Sequence, residues 1–205
     1  MIAIVNYGMG NLRSVQHALE MVGADVQVAT HPEDLRTAER LVLPGVGAFG
    51  ACVRHLRASG LVEALTEEVL HRGKPLLGIC LGMQVLAGVG YEMGKHRGLG
   101  WIPAVVQRFE VELLGLKVPH VGWNEVILQR HTPLFHGLQR DPTFYFVHSY
   151  HLVPDTPEVT LASCDYGIRF TAAILRDNIF ACQFHPEKSQ HNGLRLLENF
   201  LAWSP

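Results

Sequence analysis

Cys80, set in Gly78-Ile79-Cys80-Leu81-Gly82-Met83-Gln84, and His185, followed by Pro186 and Glu187, are the residues of this chain best equipped for chemistry. A cysteine thiolate is a nucleophile. An imidazole within reach takes and returns its proton, and a carboxylate behind the imidazole fixes its tautomer and supports its charge. Together these groups amount to an acyl-transfer site that works through a thioester.

Such groups act only if the backbone delivers them to one point. The apolar run Pro75–Ile79 reads as a short buried strand, and the stretch from Leu81 to about 88 reads as a helix. Cys80 therefore falls on a sharp strand-to-helix elbow, with Gly78 and Gly82 leaving room for close packing. A helix N-terminus beside the sulfur favours thiolate over thiol. Ile179–Phe184 reads as a second buried strand whose end delivers His185 and Glu187. With Pro186 keeping the backbone extended, residues two apart point to the same side, so His185 can face Cys80 while Glu187 holds the imidazole from behind.

An acyl-transfer site also needs donors for the oxyanion. The first candidate is the backbone N–H of Leu81, directly after the nucleophile. The second is the loop Pro44-Gly45-Val46-Gly47, which follows the strand-like run Arg40–Leu43 and offers the amides of Val46 and Gly47. One such donor contributes about 3 kcal/mol to the transition state. On residue types alone, an ordinary Pro-Gly turn is the competing interpretation.

The wider pattern is α/β. Strand-like segments near 2–7, 25–29, 40–43 and 75–79 alternate with helix-like ones near 12–22, 50–58, 61–72 and 81–88, which predicts a central, mostly parallel sheet with helices on both faces. From about 100 to 184 the runs Ala104–Phe109, Asn124–Leu128, Thr143–Tyr150, Thr160–Ser163 and Thr171–Leu175 predict additional antiparallel strands, joined to the main sheet or forming a small second one. Gly193–Trp203, with Leu194, Leu197 and Leu201 at helical spacing, predicts a closing amphipathic helix. The chain is expected to be a single domain, residues 1–205.

Composition excludes several classes. With 205 residues, 48% hydrophobic content and a net charge of −2, the chain has enough apolar mass for one core and no basic stripe for nucleic acid. Met1–Tyr7 is too short for a signal sequence and no apolar run reaches membrane-spanning length, so a cytoplasmic protein is expected. Cys52, Cys80, Cys164 and Cys182 have no close-pair spacing, which favours neither disulfides nor zinc. His148 and His151, three apart on one strand, should face opposite ways, against a metal pair. Gly8-Met9-Gly10-Asn11 lacks the third glycine of a dinucleotide loop, leaving a turn with Asn11 capping the next helix. No cofactor and no metal are expected.

The motifs Gly-Ile-Cys-Leu-Gly-Met-Gln and His-Pro-Glu-Lys-Ser together resemble those of class I glutamine amidotransferases, over nearly the whole chain. Pro44–Phe49, Pro119–Asn124 and Tyr145–Tyr150 are similar to segments of the branch that serves histidine biosynthesis, the glutaminase subunits of imidazole glycerol phosphate synthase. Asn6, Tyr91, Pro103 and Val121 depart from the branch's usual residues, and none is a catalytic group. The resemblance implies hydrolysis of glutamine to glutamate through a γ-glutamyl thioester on Cys80. It also implies a heterodimer with a (β/α)₈-barrel cyclase that uses the ammonia to make imidazole glycerol phosphate and an aminoimidazole carboxamide ribotide.

It further implies substrate contacts from Gly47, Gln84, Glu92, His148, Ser149 and Tyr150, and a partner interface at Trp123, Asn124, Tyr145 and Lys188. Isolated, the chain is expected to be nearly inactive, because the Gly45–Gly47 loop presents its amide only when the partner's ligand binds. Rival expectations are a glutaminase for anthranilate or pyridoxal phosphate synthase, a related cysteine peptidase, and a non-catalytic regulatory module. Met83 stands where the anthranilate branch has His, and Val46 where the pyridoxal branch has Gly. Leu81 stands where the peptidases have His, and no triad member is lost.

Overall fold

The structure is a computed structural model describing residues 1–205. The N-terminal half runs β1 (Ile2–Val5), α1 (Leu12–Met21), β2 (Val26–Ala29), α2 (Pro32–Thr37), β3 (Arg40–Gly45), α3 (Phe49–Ala58), α4 (Val62–Thr66) and β4 (Leu76–Cys80). Then come α5 (Leu81–Gln84), β5 (Ala87–Gly90), β6 (His96–Arg97), β7 (Ile102–Arg108), β8 (His120–Glu125) and β9 (Ile127–Leu128). The chain ends with β10 (Thr143–His148), β11 (Tyr150–Pro154), β12 (Thr160–Tyr166), β13 (Ile168–Arg176), β14 (Ile179–Cys182) and α6 (Gln190–Ala202).

The main sheet has eight strands in the order β2-β1-β3-β4-β14-β13-β12-β9. From β2 to β14 the strands are parallel, and the remaining three are antiparallel. Successive β1 residues feed two separate cores, Ile2 and Ile4 on one face, Ala3 and Val5 on the other. α1 and α6 cover the first face, and α2, α3 and α4 the second. The expected mixed α/β layering is therefore present. The later strands do both things expected of them: β9, β12 and β13 extend the sheet, while β8–β10 form a ribbon and β11-β7-β5-β6 a four-stranded sheet.

Several local expectations are corrected. The helix expected over 81–88 is a single turn, α5, after which the chain enters β5; Gly88 and Gly90 do not sustain a helix, and β5 pairs with β6 and β7. The run Thr143–Tyr150 breaks at Ser149, so that β10 and β11 join different sheets. That break also places His148 and His151 together against Phe109, at ring-centroid distances of 5.1 and 4.6 Å, rather than on opposite faces. Asn11 occupies the N-cap position of α1, but its side chain makes no capping hydrogen bond. α6 begins earlier than expected and buries Gly193, Leu196, Leu197 and Phe200, with Leu194 and Leu201 flanking that face. α4 continues into a π-helical turn, Glu67–His71, and no helix is long and apolar enough to cross a membrane.

Candidate active site

The elbow forms where β4 runs into α5. Cys80 sits at φ +55° and ψ −111°, a conformation costing a non-glycine residue about 1–3 kcal/mol. Tight packing around the turn holds it there. A Cβ on Gly82 would lie 1.8 Å from the Leu43 carbonyl oxygen, so only glycine lets α5 rest on the end of β3. This approach sets Val46 and Gly47 beside the sulfur, and β3 runs on through Pro44 and Gly45, where a loop is expected, because both pair with β4. The Tyr7 hydroxyl donates to the Pro44 carbonyl at 2.7 Å and pins the end of β3. Gly47 takes φ +95°, the region that favours glycine.

His185 arrives from the neighbouring strand. β14 lies parallel to β4 with Cys182 opposite Ile79, so the next residues emerge alongside Cys80. The His185 N–H donates to the Tyr145 carbonyl at 2.9 Å. Ser189 Oγ donates to the His185 carbonyl at 2.6 Å and accepts from the Tyr145 N–H at 3.0 Å. Three hydrogen bonds thus fix the imidazole's mounting. Its Nδ1 donates to Glu187 Oε1 at 2.7 Å, with the two side chains 4% and 2% exposed.

The route to that contact differs from the extended backbone expected. Pro186–Lys188 is a 3₁₀ turn, because the fixed φ of proline suits a first helical position as well as a strand. Burial opposes charge on His185, but the Cys80 sulfur and the Glu187 carboxylate outweigh it and raise the imidazole to about 10. The balance favours the imidazolium form, and the buried Nε2 has no hydrogen-bond partner.

Cys80 and His185 open into a cavity of about 350 Å³. Val46, Gly47, Leu81, Gln84, Glu92, His148, Ser149 and Tyr150 line it too, so every residue expected to hold an oxyanion or substrate meets there. Pro119, Val147 and Lys188 complete the wall, and Glu187 stands behind His185. Glu92 Oε2 accepts from the Phe49 N–H at 2.6 Å, capping α3. Leu81, first in α5, has an N–H without an intrahelical acceptor. The other thiols are unsuited to chemistry: burial pushes Cys52 and Cys164 up to about 12 and holds Cys182 well above its ordinary value.

The expected interface residues divide. On the β8–β10 ribbon Trp123 is opposite Tyr145, their rings at 6.1 Å and edge-to-face, and Lys188 Nζ lies 5.8 Å from the Tyr145 ring. Asn124 points to the other face, where its Nδ2 donates to the Asp165 carbonyl at 3.0 Å and approaches His120 Nε2 at 3.4 Å. Sequence reasoning missed Gln183 and His120, both buried and both bonded into the site's surroundings. Gln183 had a signal, a polar residue inside the apolar run Ile179–Phe184.

A family profile described as glutamine amidotransferase class-I matches residues 3–203. The imidazole glycerol phosphate synthase subunit HisH of Syntrophotalea carbinolica is 50% identical, with 98% of each chain covered. Subunit HisH 2 of Pseudomonas aeruginosa is 49% identical, again over 98% of each. Among solved structures, one described as a glutamine amidotransferase superposes with a TM-score of 0.75 at 22% identity, covering 98% of both chains. The structure of PurLQS from Thermotoga maritima gives 0.76 at 18% identity, covering 98% of this chain and 97% of that one. Those two establish the fold, while the profile and the relatives establish kinship: the chain belongs to the class I glutamine amidotransferases and is an enzyme of that family.

Proposed function

We infer that this chain is the glutaminase subunit of an imidazole glycerol phosphate synthase. The observation that carries the inference is convergence: Cys80, His185 and the loop at Val46–Gly47 come from three different strand ends and meet in one cavity. The half-identical relatives bearing that subunit name supply the acceptor pathway.

Cys80 Sγ attacks the carboxamide carbon of glutamine. The tetrahedral oxyanion is held by the Leu81 N–H and an amide of the Val46–Gly47 loop. As the C–N bond breaks, His185 gives its Nε2 proton to the departing ammonia, and Glu187 holds the ring in place. Water, deprotonated by the now neutral His185, then attacks the thioester, releasing glutamate and returning the sulfur to its starting state. Gln84 donates through Nε2 to two protein acceptors, which leaves its Oε1 to receive the substrate's ammonium group. Glu92, Gly47 and the backbone of His148, Ser149 and Tyr150 surround the same end.

Ammonia passes to a (β/α)₈-barrel cyclase bound over the ribbon face that carries Trp123 and Tyr145, with Lys188 at the join. Asn124 supports this face from its inner side. The heterodimer works in the cytoplasm without a cofactor in this subunit. The test is glutamate release from glutamine by the chain alone, with the cyclase, and with the cyclase plus its nucleotide ligand. Strong activation only in the full mixture supports the reading. Activity insensitive to that partner would assign the glutaminase to another synthase.

A further inference from the structure

Behind the nucleophile runs a chain of buried hydrogen bonds whose direction is fixed by its members. The Tyr150 carbonyl can only accept, so Gln84 must turn its amide nitrogen toward it, at 2.9 Å. The same nitrogen donates to Gln183 Oε1 at 2.9 Å. With its oxygen so committed, Gln183 must present its Nε2 to the Cys80 sulfur, 3.6 Å away, an ordinary separation for a hydrogen bond to sulfur. Gln183 is fully buried and Gln84 is 4% exposed, so water does not compete.

A histidine pair anchors the far end. His148 Nδ1 also lies 2.8 Å from the Tyr150 carbonyl and must carry the proton there. Its Nε2 is then an acceptor for His120 Nδ1 at 3.1 Å. His120 Nε2 is left to accept from Asn124 Nδ2. Every group from Asn124 to Cys80 has one compatible orientation, and no amide can flip without losing a buried partner.

We propose that Gln183 is a positioning residue for the nucleophile: its side-chain amide, locked by Gln84 and the Tyr150 carbonyl, donates to the Cys80 sulfur and holds it facing the cavity. A hydrogen bond to a charged acceptor is about twice as strong as one to a neutral group, so the donation favours the thiolate over the thiol and over the thioester. It therefore assists release of the sulfur when the thioester hydrolyses. The idea rests on the glutaminase reading for its purpose, though not for its test.

The test is the pH profile of Cys80 alkylation by iodoacetamide in the full-length chain, with the labelled peptide identified by mass spectrometry. Charged or titratable groups around the sulfur are Tyr7 just after β1, Cys52 from α3, Cys182 from β14, His185 and Glu187 beyond it, and Glu92, Tyr150 and Lys188 on the cavity wall. All are retained in Gln183→Met, which keeps length and neutrality and removes the donor. Its alkylation midpoint moves up by about one pH unit, the size of one charge-assisted hydrogen bond. Gln84→Met, which unlocks the amide without touching it, gives a smaller shift in the same direction and serves where Gln183→Met does not fold. An unchanged midpoint in a folded Gln183→Met or Gln84→Met protein overturns the proposal. Alkylation needs neither glutamine nor a partner, so a normal shift without glutamate release would instead refute the function.

Discussion

Replacing Glu187 by Gln tests the base's support. The change keeps shape and volume but removes the charge from a contact of 2.7 Å between side chains 4% and 2% exposed. Burial already opposes charge on His185, and the Cys80 sulfur and Glu187 together overcome it. With Glu187 neutral, the balance moves back toward neutral imidazole. The amide can also turn its NH₂ toward Nδ1, imposing the tautomer that cannot take up a proton at Nε2. Breaking a buried charge pair costs about 3–5 kcal/mol. At about 1.4 kcal/mol per factor of ten, kcat for glutamate release by the partner-bound enzyme should fall between about 10²-fold and a few thousandfold. Synthesis from added ammonia should be unaffected, and thermal unfolding should confirm a folded variant. A loss below tenfold in a folded protein would refute the role given to Glu187.

Gly82→Ala places a methyl group against the Leu43 carbonyl at the elbow. The clash is with backbone, so it should cost at least about 3 kcal/mol and lower Tm by roughly 6–12 °C; a wild-type Tm would mean that the elbow is not packed as described. Burial, opposed only by the Tyr150 carbonyl, lowers His148 to about 3, and burial lowers His151 to about 4. Below about pH 6.5 the unfolded chain takes up protons that the folded chain refuses, so each ring removes up to about 1.4 kcal/mol per pH unit until its folded pKa is reached. His185, raised to about 10, acts in the opposite sense: its contribution is full below about pH 6.5 and is lost as pH rises through 10. Urea midpoints between pH 7 and 4 should therefore fall steeply, and less so in a His151→Phe variant. Trp123→Ala, at a residue 47% exposed, should leave stability within about 0.5 kcal/mol while weakening cyclase binding by about 2 kcal/mol, roughly 30-fold, by titration calorimetry.

The meeting of Cys80, His185 and Glu187 was legible in the sequence because each carries a local constraint. Gly82 marks a close approach, the apolar runs ending at Ile79 and Phe184 mark strand ends, and Glu187 sits within side-chain reach of His185. What stayed hidden depends on contacts between distant segments. Nothing near residue 87 reveals that β5 will pair with β6 and β7, so the local pattern predicts a helix longer than the single turn of α5. The break at Ser149 is invisible in a continuous β-prone run, and with it the meeting of His148 and His151 on Phe109. Trp123 and Asn124 are sequence neighbours on a strand and so face opposite ways, which alternation alone would have indicated. Gln183 gains its meaning only from Gln84 and Cys80 across the sheet.

The most direct measurement of the central claim is the nitrogen source used by a Cys80→Ala variant in complex with the cyclase. With glutamine, formation of imidazole glycerol phosphate should fall to background, whereas with added ammonia it should match the wild-type complex. Retained glutamine-dependent synthesis would contradict the assignment of Cys80 as the nucleophile, and failure of both sources in a folded complex would contradict the division of labour between the two subunits.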